Sequence, residues 1–477
     1  MAKKVVLTQG QRNAFTSMKS FLDDDRKKVF ILKGYAGTGK TTLMKRLIAE
    51  MQKRDLSFSL LASTGRAAKI LANITSCEAK TIHSEIYKFS DLNQDLEKVV
   101  EKREKMLVDS TGQLLLNFEL TPKECDETSR RHFYIIDEAS MISDSIDKNA
   151  TQALFGSGKL LTDLFKYDER GKFIFVGDEC QLPPVSQNMS PALSSSYIEN
   201  TFGYMCSGYE LTEVVRQTAE VDIVRSAHQM RKLFYHPQPW KWAKFPLRGY
   251  KDIHILGSQA TLIREYINRV KESDYNDATL ICFSNKQCDI TTQLLRPSFG
   301  HYSHALEKGD LLLITQNNLI SGLMNGDLGV IEEIRGQERR AGLTFIDVSI
   351  RELFTKRVYS QFMIAEVLYG NQTNLTQSQQ KELFIDFYYR MKDKNIKQGS
   401  SPFNQCMMND PYLNALRAVF GYALTCHKSQ GGEWDYVYLD IPKQVPALEK
   451  PYVYQWVYTA MTRAKKGLYI VDDFWVV

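Results

Sequence analysis

The sequence predicts an α/β protein with two parallel-sheet units, each carrying a small insertion. Apolar, strand-like runs alternate with amphipathic helical stretches in both halves of the chain, as parallel sheets require. Between residues 309 and 420 this alternation gives way to short strands separated by turn residues, which is typical of a small barrel. A length of 477 residues is enough for about three or four domains.

The composition is that of an ordinary water-exposed protein, with 43% hydrophobic and 25% charged residues. A net charge of +5 permits a polyanionic partner without requiring one. No apolar run approaches the length of a membrane span, so we expect a cytoplasmic protein with no membrane partner. The eight cysteines include no C-x-x-C pair, and His301 and His304 lack companion ligands, which argues against a zinc site.

A glycine-rich stretch at residues 34–42 separates a predicted strand at residues 29–32 from an amphipathic helix. It matches the phosphate-loop pattern G-x-x-x-x-G-K-[ST], in which curled backbone N–H groups and a helix N-terminus bind phosphate. Lys40 can reach the β- and γ-phosphates and the Thr41 hydroxyl can bind Mg²⁺. The predicted nucleotide contacts of this loop are Gly34, Gly37, Thr38, Gly39, Lys40, Thr41 and Thr42. The loop therefore predicts a nucleoside triphosphate and Mg²⁺.

Two further strands end in polar residues. The strand at residues 133–136 is followed by Asp137 and Glu138, which suit a second Mg²⁺ anchor and a group that orients or deprotonates the attacking water. The strand at residues 172–176 leads to Gln181, whose amide can hydrogen-bond a γ-phosphate or a water. Ligands of α/β proteins lie at this carboxyl edge of the sheet, so these residues are expected to meet the phosphate loop.

The predicted domain organisation follows from where the patterns change. Residues 85–131 interrupt the first unit with crowded charges and two segments that can pair as strands, although a charged helix with a solvated loop fits the pattern about equally. The predicted ranges are 1–84 and 132–205 for the first unit, 85–131 for its insertion, 206–308 and 421–477 for the second unit, and 309–420 for the barrel insertion.

Two arginines are predicted to lie on the second unit, namely Arg216 and Arg463. If the nucleotide lies between the units, these arginines reach the γ-phosphate only while the cleft is closed. Arginine stabilises the charge of a transferring phosphoryl group. Closure is then coupled to the triphosphate, and a strand held by both units would be moved by each cycle.

Taken together, the motifs resemble those of superfamily 1 DNA helicases, in particular the 5′→3′ subgroup that includes RecD-like and phage T4 Dda-like enzymes. The matches occur in the family's order and span nearly the whole chain. They are Gln11, residues 34–42, 63–71, 81–84, 137–140, 177–178 with 181–184, 215–217, 425–433 and 458–464.

The resemblance implies a role for each matched residue. Gln11 would read adenine and Glu433 would contact the ribose, while Lys40, Thr41, Asp137 and Glu138 would bind and hydrolyse MgATP. Gln181, Arg216 and Arg463 would contact the γ-phosphate. The positions implied near the single strand are Thr64, His83, Thr425 and His427. Both units would be RecA-like P-loop domains, the first insertion a strand-splitting pin and the second a barrel of the Src-homology-3 type.

We therefore expect a monomeric, ATP-dependent DNA helicase that translocates 5′→3′ on single-stranded DNA and acts at duplex junctions. Two alternatives remain open: an RNA helicase or ribonucleoprotein remodeller, and a nucleotide-gated DNA-binding module that does not unwind. Two features depart from the family. Tyr35 stands in the phosphate loop where a smaller residue or proline is common, and residues 352–420 match no motif. Aromatic residues at 384–391 suit either base stacking or a helix docked on the barrel.

Overall fold

The computed structural model describes residues 7–104, 114–124, 131–146, 153–215, 221–370 and 372–477. Strands and helices are numbered in chain order over these residues. They form two parallel sheets, one antiparallel sheet and one small mixed sheet. The predicted α/β fold class is confirmed. No helix in the described part of the chain combines the length and apolarity needed to cross a membrane.

The first unit is a six-stranded parallel sheet in the order β3-β2-β6-β8-β1-β9. Its strands are β1 (Val29–Gly34), β2 (Phe58–Ala62), β3 (Ala79–Thr81), β6 (Phe133–Asp137), β8 (Lys172–Gly177) and β9 (Cys206–Leu211). Its helices are α1 (Gln9–Asp23), α2 (Lys40–Lys53), α3 (Gly65–Thr75), α4 (Ile82–Ile86), α6 (Leu160–Tyr167) and α7 (Ser195–Phe202). Alternate residues of β1 enter different cores, Phe30 on one face and Ile31 on the other, so helices cover both faces.

The predicted boundary between residues 205 and 206 is wrong, because β9 belongs to the first sheet. It pairs with β1 in parallel, from Val29 opposite Cys206 to Gly34 opposite Leu211. Residues 186–207, whose Ser, Asn and Pro content is typical of a linker, instead contain α7, whose first turn is capped by Ser194. The chain therefore leaves the first unit only after Leu211.

The insertion in the first unit is a three-stranded sheet in the order β4-β5-β7. It contains β4 (Tyr87–Leu92), α5 (Leu96–Glu104), β5 (Leu116–Leu120) and β7 (Ala153–Phe155). Strand β4 pairs with β5 in antiparallel fashion, as in the first sequence alternative, and α5 is a charged helix, as in the second. The predicted limit at residue 131 is wrong, because β7 adds to β5 in parallel. A three-residue strand is too short to give a periodic signal.

The second unit is a five-stranded parallel sheet in the order β10-β19-β18-β11-β17. Its strands are β10 (Ile253–Leu256), β11 (Ala278–Cys282), β17 (Leu424–Thr425), β18 (Trp434–Asp440) and β19 (Ala464–Val471). Its helices are α8 (Val221–Tyr235), α9 (Gln259–Glu272), α10 (Asn285–Leu295), α14 (Cys426–Ser429) and α15 (Tyr452–Met461). One apolar core joins α8, α9 and α15 to this sheet.

The insertion in the second unit is a five-stranded antiparallel sheet in the order β15-β14-β13-β12-β16. It contains β12 (Leu311–Ile314), β13 (Leu328–Arg340), β14 (Leu343–Glu352), β15 (Val358–Ile364), α11 (Ala365–Leu368), α12 (Gln377–Asp393), α13 (Ser401–Asn409) and β16 (Ala418–Phe420). A bridge between Met363 and Leu416 joins β15 to the chain that enters β16, so the sheet curls back on itself.

The two insertions touch each other. On α12, Phe384 and Phe387 are buried in one apolar cluster with Leu96, Val99 and Val100 of α5. The backbone N–H of Leu96 also donates to the Gln398 side chain at 2.8 Å. These aromatic rings are therefore packing residues and not a base-stacking surface, and their contact with the first insertion was not predicted.

Candidate nucleotide and strand site between the two sheets

The phosphate loop joins β1 to α2 and has the backbone of an anion site. Gly37 and Gly39 adopt φ values of 80° and 83°, which only glycine adopts readily. Gly39 caps α2 without a side-chain hydrogen bond, so the first N–H groups of the helix face the loop. A side chain at Gly34 would meet the Thr38 hydroxyl at 2.7 Å. The loop therefore needs its glycines for close backbone approach.

Lys40 folds back onto its own loop. Its ammonium group donates to the carbonyl oxygens of Gly34 at 2.7 Å and Tyr35 at 3.1 Å. The Thr38 hydroxyl also donates to the Tyr35 carbonyl, at 2.8 Å. Thr41 and Thr42 follow in the first turn of α2, where Thr41 can offer a hydroxyl to a metal ion. Lys40 must leave these two carbonyls to reach a phosphate.

Gln11 lies beside the loop but its amide is engaged by the protein. Its Nε2 donates to the Thr38 carbonyl at 3.0 Å, and its Oε1 accepts from the Thr8 backbone N–H at 3.1 Å. Thr8 and Gln11 form a capping box that starts α1. Gln11 thus fastens α1 to the phosphate loop, and the adenine contact stays a prediction.

The two predicted carboxylates lie at the end of β6. Asp137 accepts a 2.9 Å hydrogen bond from the Glu138 backbone N–H. Burial, with the charge of Glu138, raises the pKa of Asp137 to about 7, and the charge of Lys40 opposes this rise. Glu138 adopts φ 50° and ψ 41°, a left-handed conformation that costs a non-glycine residue about 1 kcal/mol or more. Such strain is concentrated at functional sites.

Gln181 connects the two sides of the cleft. With its amide oriented to match its neighbours, Nε2 donates to Glu138 Oε2 at 3.2 Å and Oε1 accepts from Arg463 Nη2 at 3.0 Å. Arg463 is buried and is held by the carbonyls of Thr459 at 3.1 Å and Gly432 at 3.2 Å. Glu138 and Gln181 of the first unit and Arg463 of the second unit therefore form one chain of hydrogen bonds.

Helix α15 supplies further contacts that the sequence analysis did not assign. The Tyr458 hydroxyl donates to Asp178 Oδ2 at 2.6 Å and accepts from the Ala36 backbone N–H at 3.3 Å. The Thr459 hydroxyl accepts from the Leu182 backbone N–H at 2.8 Å. Both residues lie in the matched stretch 458–464, which was the only sequence signal for them.

Arg216 lies outside the described residues. The preceding residue is described, and the Val215 backbone N–H donates to the Gly37 carbonyl at 2.9 Å. The segment that leaves the first sheet thus runs along the phosphate loop. The role of Arg216 stays a prediction.

The predicted strand contacts lie on both units. Thr64 follows β2 and caps α3, accepting from the Ala67 N–H at 3.2 Å, and Thr425 ends β17 and caps α14, accepting from the Lys428 N–H at 3.4 Å. A side chain added at Gly431 would lie 3.1 Å from the Thr64 hydroxyl, so the two units meet here. Glu433 is exposed, and its charge acts on Asp137. The ribose and strand contacts of these residues stay predictions.

The two predicted histidines are kept neutral by burial. Burial lowers the pKa of His83 to about 4, and its ring packs 5.0 Å from Phe155 and 5.7 Å from Tyr87. Burial also lowers the pKa of His427 on α14. Neither imidazole is positioned as a cation for phosphate, so any contact with a strand would be a neutral one.

The barrel insertion also reaches the first unit, through the turn at residues 324–327. Asp327 accepts an ion-paired hydrogen bond from Lys69 of α3 at 2.5 Å. Lys428 donates to Asn325 at 2.7 Å, and a side chain at Gly65 would meet Met324 Sδ at 2.2 Å. This turn therefore lies among α3, α14 and the predicted strand contacts.

Two protein-family models match the chain. One, described as an AAA domain, matches residues 6–232, and the other, described as a UvrD-like helicase C-terminal domain, matches residues 420–471. The first covers the phosphate loop, Glu138 and Gln181, and the second covers Arg463. Together the two models cover the stretches whose motifs resemble those of superfamily 1 helicases.

Two curated DNA helicases match the chain at about one residue in four. The chain is 25% identical to the ATP-dependent RecD2 DNA helicase of Deinococcus radiodurans over 92% of this chain and 46% of that protein. It is 26% identical to the ATP-dependent DNA helicase dda of Enterobacteria phage T4 over 65% of this chain and 61% of that protein. The chain thus spans less than two thirds of the length of each of these two relatives.

A solved structure of another helicase also overlaps the chain. The Pif1 helicase from Bacteroides, in complex with ADP-AlF3 and ssDNA, covers 99% of this chain and 95% of its own at 17% identity and a TM-score of 0.49.

Proposed function

We propose that the protein is an ATP-dependent DNA helicase that translocates 5′→3′ on single-stranded DNA and unwinds duplex DNA by closing its two RecA-like units on ATP. The observation that carries this proposal is the contact of Gln181 with both Glu138 and Arg463. Glu138 is placed to activate water, and Arg463 is placed to stabilise the transferred phosphoryl group. Because Gln181 contacts both, the two residues act in the same catalytic step.

The first unit binds the nucleotide in this proposal. The curled N–H groups of residues 37–41 hold the phosphates, and Lys40 exchanges its two carbonyl partners for phosphate oxygens. Asp137 and Thr41 offer the oxygen ligands that a hard divalent cation prefers, and a nearby cation would stabilise the ionised form of the buried Asp137. Mg²⁺, when bound, neutralises charge on the phosphate oxygens. Glu138 orients and deprotonates the attacking water.

The second unit responds to the nucleotide. Arg463 stabilises the charge that spreads over the γ-phosphate, and we assign a similar role to Arg216. Both units contact the γ-phosphate in the closed state. Because hydrolysis removes this phosphate, the cleft opens after hydrolysis. With Thr64 and His83 on one unit and Thr425 and His427 on the other, a bound strand is gripped alternately and advances once per cycle.

DNA is proposed as the substrate because the two named relatives are DNA helicases. The 5′→3′ direction, the pin role of the β4-β5-β7 insertion, action as a monomer at duplex junctions and a cytoplasmic location are inferred from the family resemblance and the composition.

The deciding experiment measures ATP hydrolysis and unwinding with defined nucleic acids. Single-stranded DNA should stimulate hydrolysis strongly, and Lys40→Ala should abolish it. A forked duplex with a 5′ tail should be unwound faster than one with a 3′ tail. Stronger activation by poly-uridine than by poly-deoxythymidine would favour an RNA substrate, and ATP-dependent DNA binding without strand separation would favour a binding module.

A further inference from the structure

Three consecutive residues of the phosphate loop are contacted from outside the first sheet. Tyr35 meets Arg231 of α8, with the guanidinium carbon 3.5 Å from the ring centroid. The Ala36 N–H donates to Tyr458 of α15 at 3.3 Å, and the Gly37 carbonyl accepts from Val215 at 2.9 Å. The first half of the loop is thus a contact surface for the second unit, while Lys40 and Thr41 follow it.

The contact between Tyr35 and Arg231 is buried and firmly built. Tyr35 is 6% exposed, and burial raises its pKa to about 12, so the ring stays neutral. The His228 ring lies 5.8 Å from the Tyr35 ring on the same helix as Arg231. A cation over an aromatic ring is stabilised most where water is excluded. Tyr35, the loop residue that departs from the family pattern, therefore has a partner on the second unit.

Arg231 is anchored to both units. Its Nη2 donates to Glu210 of β9 and to the Tyr235 hydroxyl, and that hydroxyl donates to Glu179 at the end of β8. Helix α8 is fixed in the second unit, because Ile223, Ala227 and Met230 are buried in the core that also contains α15. A movement of the second unit must therefore move the guanidinium against the Tyr35 ring.

The backbone of Tyr35 holds the lysine that must reach the phosphates. Its carbonyl accepts from Lys40 at 3.1 Å and from the Thr38 hydroxyl at 2.8 Å. The side chain of the same residue is held by Arg231. The position of α8 therefore acts on the carbonyl from which Lys40 is released.

We propose that Arg231 is a positioning residue that couples the placement of the second unit to Lys40 through Tyr35. This proposal rests on the proposed function, because the strand held across both units is what sets the placement of the second unit. Arg231 touches no reacting atom. Its effect appears in the stimulation of hydrolysis by DNA.

The first test compares Arg231→Gln with Arg225→Gln, a matched control on the same helix that is 68% exposed and paired with Asp222. Steady-state ATP hydrolysis is measured with and without poly-deoxythymidine. In Arg231→Gln the DNA-stimulated kcat should fall about thirtyfold, the loss expected for one water-excluded cation–π contact. The KM for ATP and the DNA-free rate should change less than about twofold, and Arg231→Lys should restore most of the stimulation because an ammonium can also lie over the ring.

The second test uses the loop residue. Tyr35→Phe keeps the ring and should keep the stimulation, whereas Tyr35→Ala should lose it and should add no further loss to Arg231→Gln. An equal fall of the DNA-free and stimulated rates in Arg231→Gln, or independent effects of the two substitutions, would show that the contact is only structural and would overturn the proposal. Hydrolysis by the unsubstituted protein that ignores DNA would overturn the proposed function itself.

Discussion

The two parallel sheets are built alike but present different surfaces to the cleft. The first sheet presents the carboxyl ends of its strands, which carry the phosphate loop, Asp137, Glu138 and Gln181. The second presents the flank of α15 and the turn after it, which carry Tyr458 and Arg463. In the proposed function, one unit therefore holds the groups that bind and cleave ATP, and the other holds the groups that detect whether the cleft is closed.

The largest expected effect tests whether the second unit detects closure of the cleft through Arg463. Arg463→Ala should lower the DNA-stimulated kcat on the order of a thousandfold or more, because no arginine then stabilises the negative charge on the transferring phosphoryl group. Nucleotide affinity, measured with a fluorescent ATP analogue, should fall far less, since the phosphate loop is intact. Arg339→Ala, at an exposed position on the barrel, serves as the control. A parallel loss of affinity and turnover would mean that the second unit binds ATP and does not merely detect it.

The next effect tests whether the first unit cleaves ATP through Glu138. Glu138→Gln should lower kcat by about a hundredfold to ten-thousandfold, because an amide cannot accept the proton of the attacking water. ATP-dependent DNA binding, followed by fluorescence anisotropy, should be retained or strengthened because the closed state persists. Glu119→Gln, at an exposed position on β5, is the matched control. Wild-type turnover in Glu138→Gln would remove this residue from the chemistry.

A smaller effect concerns the hydrogen bond that joins Tyr458 of the second unit to Asp178 of the first. Tyr458→Phe removes the 2.6 Å hydrogen bond to Asp178, a buried carboxylate. Loss of a partner for a buried polar group costs about 1–3 kcal/mol in the free energy of unfolding. Urea denaturation should show this loss, and Tyr302→Phe, at a residue 80% exposed, should not. An unchanged free energy of unfolding would mean that the hydrogen bond between Tyr458 and Asp178 is not formed in solution.

The smallest effect is a pH dependence at the predicted strand contacts. Burial lowers the pKa of His83 from 6.5 to about 4. Between these values the unfolded chain binds more protons than the folded one, so this contribution to the free energy of unfolding is complete above pH 6.5 and is lost as pH falls towards 4. His83→Gln should flatten the slope measured by urea denaturation across this window.

His236→Gln, at an exposed position, is the control for that slope. A residual slope should remain in His83→Gln, because burial also lowers the pKa of His132 to about 4. A slope that His83→Gln leaves untouched would mean that the imidazole is already solvated in the folded protein.

The elements that the sequence predicted well are those with a strong local pattern. The strand predicted at residues 133–136 is β6, Phe133–Asp137, because a run of apolar residues there ends in two carboxylates. Lys40, Glu138 and Gln181 converge because parallel strands place their carboxyl ends at one edge. Arg463 joins them as the ordered motifs implied.

The elements that it missed depend on distant partners. Strand β9 has the mixed sequence Cys-Ser-Gly-Tyr-Glu-Leu, and its place is fixed by pairing with β1 and not by its own periodicity. The pairing of Tyr35 with Arg231 joins residues 196 positions apart on different units. Tyr35 was identified as unusual, but no local pattern names its partner. Such contacts arise only when whole units dock.

The packing of α5 against α12 has a consequence for how the molecule can move. These helices belong to insertions of different units, and they meet far along the chain from the contacts of α15 with the phosphate loop. Two bodies that touch at several separate places cannot swing freely about a single linker. In the proposed ATP cycle, either the units turn about an axis that passes near the α5–α12 contact, or that contact breaks.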